Sequence, residues 1–139
     1  MKCSDTTAKQ FCKEPNIQFA KRIRFVNQTS LVLLGYNTIS CVQLSKKGTD
    51  LLIVGELWHI DTTVAGVIDI SDVVVGDGGC MYVSGSKSNN VKLLKTNGKW
   101  GIRSTIYFNM QPTSVSLNNS KQKIIVSCDD NTVRVFAEK

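Results

Sequence analysis

From Phe19 onward, short apolar runs are separated by clusters of Gly, Asn, Asp, Ser and Lys. The runs predict strands at Arg22 to Val26, Leu31 to Leu34, Ile39 to Leu44 and Leu51 to Val54. Further strands are predicted at Val67 to Val75, Met81 to Ser84, Val91 to Lys95 and Ile102 to Phe108. The last group is Ser114 to Leu117, Ile124 to Ser127 and Thr132 to Phe136. Turn formers fall between them, notably Tyr36-Asn37, Lys46 to Thr49, Gly76 to Gly79, Ser86 to Asn89, Asn118 to Ser120 and Asp129 to Asn131. Several runs alternate with period two. Val133 and Val135 share one face while Thr132 and Arg134 take the other, and Val115 and Leu117 oppose Ser114 and Ser116. Such alternation over short runs marks antiparallel strands. No stretch of a dozen residues repeats apolar positions at helical spacing, so little or no helix is expected. Many short strands at intervals of ~8–12 residues leave a sandwich, a barrel or a propeller. Residues 1–18 are polar, broken at Pro15-Asn16, and read as a tail or one added strand.

Self-similarity separates these architectures. Val73 to Leu94 reads as strand, polar turn, strand ending in Val-Ser, polar turn, then Val-basic-apolar-apolar. Val115 to Phe136 reads the same way, with Val126-Ser127 and Val133-Arg134-Val135-Phe136 in the matching places. A fainter copy runs from Ile23 through Gly35 to Leu44. Val83 and Val126 stand 43 positions apart, within the ~40–45 of one propeller-blade repeat. Leu33 and Val83 stand 50 apart, an excess assigned to a loop from Ile60 to Gly66.

Val126-Ser127-Cys128-Asp129-Asp130-Asn131-Thr132-Val133-Arg134-Val135-Phe136 resembles the second and third strands of a WD repeat, and Met81 to Leu94 resembles them too. The resemblance spans Phe19 to Phe136. It departs from the family in two ways. The closing Trp-Asp pair is replaced by Leu44-Ser45, Leu94-Lys95 and Phe136-Ala137, and the Gly-His pair is missing. Asp130 stands where WD blades carry a turn aspartate, and Ser88 takes that place one repeat earlier. The resemblance implies an all-β chain in which residues 19–139 form about three antiparallel, four-stranded blades of a partial, open β-propeller. The last blade would lack its outer strand, which the other terminus, at Asn16 to Ala20, could supply.

A ring typically holds ~4–8 blades. Three blades therefore imply a piece of a larger propeller, or a ring completed by another chain. The function implied is a non-enzymatic protein–protein interaction scaffold, with a protein partner. The order of motifs is also loosely similar to fungal WD-repeat proteins, some of which are substrate receptors of ubiquitin ligases. A degenerate fragment without its own function is a third outcome.

Composition changes this picture little. Of 139 residues, 42% are hydrophobic and 20% charged, which is globular. Aromatics are 7%, so the core is expected to be mainly Val, Ile and Leu. The net charge of +6 raises a nucleic-acid-associated module in RNA processing as the alternative function. Against it, the basic groups Lys21-Arg22-Arg24, Lys46-Lys47 and Lys121-Lys123 are dispersed and have no aromatic platform beside them. The five cysteines (Cys3, Cys12, Cys41, Cys80, Cys128) form neither a disulfide framework nor a zinc motif. The start lacks an apolar leader, and no run approaches the ~18 residues of a spanning helix. A cytoplasmic or nuclear location, without membrane association, follows as the expectation.

Catalytic chemistry finds no anchor. His59 with Asp61 and Glu56 is read as a loop histidine. Gly76-Asp77-Gly78-Gly79 lacks the Lys-Ser/Thr and helix of a phosphate loop. Asp129-Asp130-Asn131 lacks the Gly and Glu of a calcium loop. No cofactor and no metal are expected. The candidate binding residues are Trp58 and Trp100, with packing at blade edges as their competing role.

Overall fold

The structure is a computed structural model and describes residues 20–118, Ser120 and residues 123–137. The polar segment 1–18, the added strand suggested from Asn16, and Asn119 and Lys121 lie outside the described residues.

Three antiparallel sheets follow one another along the chain. The first contains β1 (Arg22–Phe25), β2 (Ser30–Leu34), β3 (Thr38–Lys47) and β4 (Asp50–Asp61) in that spatial order. The second contains β5 (Ile70–Val75), β6 (Cys80–Gly85), β7 (Asn90–Lys95) and β8 (Trp100–Tyr107). The third contains β9 (Pro112–Leu117), β10 (Lys123–Cys128) and β11 (Val133–Ala137), with β9 and β11 at its edges. A 3-10 turn, Thr62–Ala65, links the first sheet to the second. Successive strands pair with their neighbours through short turns, and the first strands β1, β5 and β9 face one another across the sheets. These are meander blades stacked side by side, with β1, β5 and β9 innermost.

Two apolar seams hold the stack. Val32, Leu34, Ile39 and Cys41 of the first sheet pack on Val73, Met81, Val83 and Leu94 of the second. Tyr82 and Val91 of the second pack with Val115, Ile124, Val126 and Cys128 of the third, with Phe108 from the connection between them. Each fully buried Val or Leu contributes about 1.5–3 kcal/mol, so the seams dominate the stability of the stack. Leu31, Leu33, Val42 and Leu44 form a separate buried cluster on the other face of the first sheet.

The Val-Ser repeat has a physical basis. In β5 the ladder shifts register between Ile70 and Asp72, and in β9 opposite the Ser127/Cys128 step. The residues at these bulges are Ser71 and Thr113. The Ser71 hydroxyl lies 2.7 Å from that of Ser84, and the Thr113 hydroxyl 2.9 Å from that of Ser127. Both also donate to the serine's backbone carbonyl, at 3.4 Å and 3.1 Å. A hydroxyl clasp thus fixes the same bulge in both blades, where an extra residue would otherwise leave the ladder unsatisfied. The left-handed residues Asn89 and Asn131 close the corresponding turns, a conformation asparagine tolerates.

Two expectations need correction. His59 lies in β4 rather than in a loop, because β3 and β4 form a hairpin of 10 and 12 residues against 6 and 8 for β7 and β8. Register shifts at Cys41/Val42 and Gln43/Leu44 leave Leu57 and Val54 of β4 unpaired in the ladder and carry the strand on. Part of the long spacing between the first two repeats therefore sits in this hairpin, and Ile60 and Asp61 belong to β4. Val133 and Val135 share a face as expected, and it is the open one, at 64% and 57% exposed. Phe136 turns to the core and meets Phe108 edge to face at 5.4 Å.

Candidate functional site

The inner strands and the loops at one end of the sheets form a single knitted surface. Lys21 Nζ reaches Asp69 Oδ1 at 3.4 Å, and Arg24 Nη2 reaches Asp72 Oδ1 at 3.2 Å. Both pairs cross the first seam, and each joins residues 48 positions apart. Asp72 does more. Its Oδ1 also accepts from the Val73 N–H at 2.8 Å, and its Oδ2 from the Val115 N–H of β9 at 3.3 Å. One buried carboxylate therefore touches all three sheets near their inner edge.

The loop end is tied by a repeated backbone pattern. Thr62 N–H donates to Asn37 O at 2.9 Å, and Phe108 N–H to Asn89 O at 2.7 Å. Ser86 N–H donates to Asp69 O at 2.8 Å, and Asp129 N–H to Gln111 O at 3.0 Å. Asn37 Oδ1 also accepts from Asp69 N–H, and Ser86 Oγ donates to Asp69 Oδ2 at 3.0 Å. Burial alone would raise the Asp69 carboxyl. The hydrogen bonds from Ser86 and Lys21, with the charges of Lys21 and Lys87, outweigh it and hold the group below the ordinary aspartate range.

On this fixed frame sit exposed apolar groups. Tyr36 is 65% exposed, Val64 87%, and Ile68 is exposed as well. Tyr36 O accepts from Ile70 N–H, which places the tyrosine beside the β4–β5 connection carrying the other two. The Lys21 ammonium lies 4.6 Å from the Tyr36 ring centroid. A rigid backbone with an exposed aromatic and aliphatic patch suits protein binding, since little ordering remains to be done on association.

The sequence-nominated residues lie elsewhere. Trp58 and Trp100 are half-buried on the outer strands β4 and β8, packed against the first seam. Trp58 Nε1 donates to Thr96 O at 2.8 Å, which fastens the first sheet to the β7–β8 turn. Lys92 Nζ sits 5.6 Å from the Trp100 ring centroid and donates to Ala65 O. His59 Nδ1 lies 2.6 Å from Ser40 Oγ, but Ser40 is buried within β3. Ser88 accepts from Ile68 N–H and donates to Asn90 Oδ1, while Asn90 Nδ2 donates to Gly66 O. Asp130 instead accepts locally from Thr132 N–H and its hydroxyl. Among the described residues no group of three or more His, Cys, Asp or Glu could hold a metal, and no helix is long and apolar enough to cross a membrane. The rim residues Tyr36, Val64 and Ile68 were missed from sequence. Tyr36 and Val64 could have been found as apolar residues inside a predicted turn and loop, whereas Ile68 falls in the predicted strand Val67 to Val75, which begins only at Ile70.

Neither a protein-family model nor a curated protein matches the sequence. Solved structures match by shape. The WD40 β-propeller domain of Doa1 superposes with a TM-score of 0.59 at 17% identity, over 85% of this chain and 36% of that one. The WD40 domain of Pan2 from Neurospora crassa gives 0.60 at 13% identity, over 85% and 32%. The fold is that of a partial β-propeller. A putative 6-phosphogluconolactonase from Bacteroides fragilis gives 0.67 at 16% identity, over 85% and 34%. The chain spans about a third of the length of these structures, and the likeness is one of fold.

Proposed function

We propose that the chain is a non-enzymatic protein-interaction scaffold whose blades belong to a larger ring, and that the partner seats on the rim around Tyr36, Val64 and Ile68. The observation that carries this reading is the exposed Tyr36, Val64 and Ile68 on loops tied by backbone hydrogen bonds. Interaction scaffolds and a putative lactonase share the fold, so the fold alone does not choose between them. The exposed apolar groups at Tyr36, Val64 and Ile68, set on hydrogen-bonded backbone, support the scaffold reading.

The test is capture of partners by the tagged chain at native levels, comparing wild type with Tyr36→Ala and Val64→Asp. Partners lost in both variants, with the fold intact by circular dichroism, support the rim. A partner set unchanged by both overturns it. The substrate-receptor role is a finer proposal within this one, and ubiquitin-ligase subunits among the rim-dependent partners would be its signature. A nucleic-acid role is disfavoured by the engagement of Lys21, Arg24 and Lys92 within the fold. RNA binding at low salt that falls steeply with added salt would revive it.

A further inference from the structure

We infer that Asn97 is a site of spontaneous deamidation held in check by Trp58, and that its isoaspartyl product unfastens the first sheet from the second. The site is separate from the rim, and the inference does not rest on the scaffold reading.

Asn97-Gly98 is the single Asn-Gly step in the sequence. It lies in the turn between β7 and β8, with the asparagine exposed. Glycine presents a backbone nitrogen with no side chain beside it, so an asparagine amide just before it is readily attacked. Asn97 Oδ1 accepts from the Lys99 N–H at 3.0 Å. That bond folds the side chain back along the turn, with the Gly98 nitrogen inside the ring it closes, and draws electron density from Cγ. Electrophile and nucleophile are therefore neighbours. What restrains them is the proton, because the Gly98 N–H donates to Lys95 O at 2.9 Å.

Trp58 keeps this turn shut from the first sheet. Its Nε1 donates to Thr96 O at 2.8 Å. Its Cγ and Cδ2 would lie 3.0 Å from a Cβ on Gly98, whose φ is +86. Thr96 N–H is held in turn by Gly79 O at 2.9 Å. Proton loss at Gly98 thus requires a local opening of the turn against the Trp58 contact.

Once the turn opens, hydroxide takes the Gly98 amide proton and the nitrogen attacks Asn97 Cγ. The new N–Cγ bond forms, the Cγ–Nδ2 bond breaks, and Nδ2 takes a proton from water and leaves as ammonia. Water then adds to one of the two ring carbonyls. Cleavage at Cγ returns aspartate, and cleavage at the backbone carbonyl gives isoaspartate, whose main chain runs through Cγ with one extra atom. Aspartate keeps an acceptor for the Lys99 N–H. Isoaspartate lengthens the span closed by the Lys95–Gly98 bond and so shifts Thr96 O and Gly98 away from the indole.

The experiment is incubation of the full chain in mildly alkaline buffer with peptide mapping. Isoaspartate is read by methyl transfer from S-adenosylmethionine with an isoaspartyl methyltransferase. Asn97 should convert ahead of Asn37, Asn89 and Asn131. Trp58→Phe keeps a ring but drops the indole donor. It should speed conversion at Asn97 by about three- to tenfold, and Gly98 amide exchange by the same factor. Trp58→Ala should speed both further, and the phenylalanine variant decides the matter if the alanine variant does not fold. The isoaspartyl chain should show red-shifted tryptophan emission and a lower urea midpoint. Asn97→Asp, which carries the charge without the extra atom, should keep both. Conversion at Asn97 no faster than at the other three asparagines, or a rate indifferent to Trp58→Phe, would overturn the inference. So would unchanged emission in the isoaspartyl chain.

Discussion

Arg24 on β1 and Asp72 on β5 meet at 3.2 Å although 48 positions separate them. The arginine side chain is 40% exposed and the aspartate 7%, so the two partners differ in what their loss would do. Replacing Arg24 by alanine removes one screened ion pair and should cost less than about 1 kcal/mol. Asp72→Ala also strips the acceptors from the Val73 and Val115 N–H groups, and should cost about 2–4 kcal/mol. Urea midpoints of the two variants check this ordering; equal losses would contradict it.

Trp58 and Gly98 form a second coupled pair. A Cβ at Gly98 would lie 3.0 Å from Trp58 Cγ and Cδ2, and the glycine has φ +86. Gly98→Ala should cost about 1–3 kcal/mol through both the clash and the left-handed backbone. Part of that cost should vanish in a Trp58→Ala background, giving a non-additive double-mutant cycle. Additive losses would mean that the ring and the turn do not touch.

Acid should weaken the fold. Asp69 is held low as described, and Asp61 and Asp130 are held low first by the hydroxyls of Thr63 and Thr132. A carboxyl with a depressed folded pKa stabilises the fold above its unfolded value of about 3.9, and that stabilisation disappears as pH falls through the folded value. Unfolding midpoints should hold between about pH 5 and 7 and drop below about pH 4. Asp69→Asn should lower the neutral midpoint and flatten the acid limb.

Thiol reactivity should follow burial. Burial pushes the Cys41 and Cys128 thiols up, whereas Cys80 is half-buried at the start of β6. Alkylation near pH 8, read by peptide mapping, should modify Cys80 at least about tenfold faster than Cys41 or Cys128. Denaturant should remove the difference.

Much of the fold was legible because blade strands are short and bounded by turn formers. Val83-Ser84 and Val126-Ser127 announce the repeat, and the Ser71 and Thr113 clasps explain why serine recurs there. What could not be read is tertiary. Period two assigns Val133 and Val135 to one face but cannot say which face is covered, since that depends on the neighbouring blade. Lys21 and Arg24 look like a basic cluster until their partners at Asp69 and Asp72 are brought alongside by stacking. The long β3–β4 hairpin was hidden by Gly55 and Glu56, which stay in the ladder between bulges at Val54 and Leu57. For the site, sequence composition favoured tryptophan, whereas Trp58 and Trp100 lie in packing positions and the exposed patch is built from Tyr36, Val64 and Ile68 in turns.

An experimental structure of the full chain by crystallography or cryo-electron microscopy bears most directly on the stacking of the three sheets. It should place β1, β5 and β9 side by side at one edge of three separate sheets, with the Asp72 carboxylate against the Val115 amide. Strands β8 and β9 paired in one continuous sheet, closing a barrel or sandwich, would contradict the account.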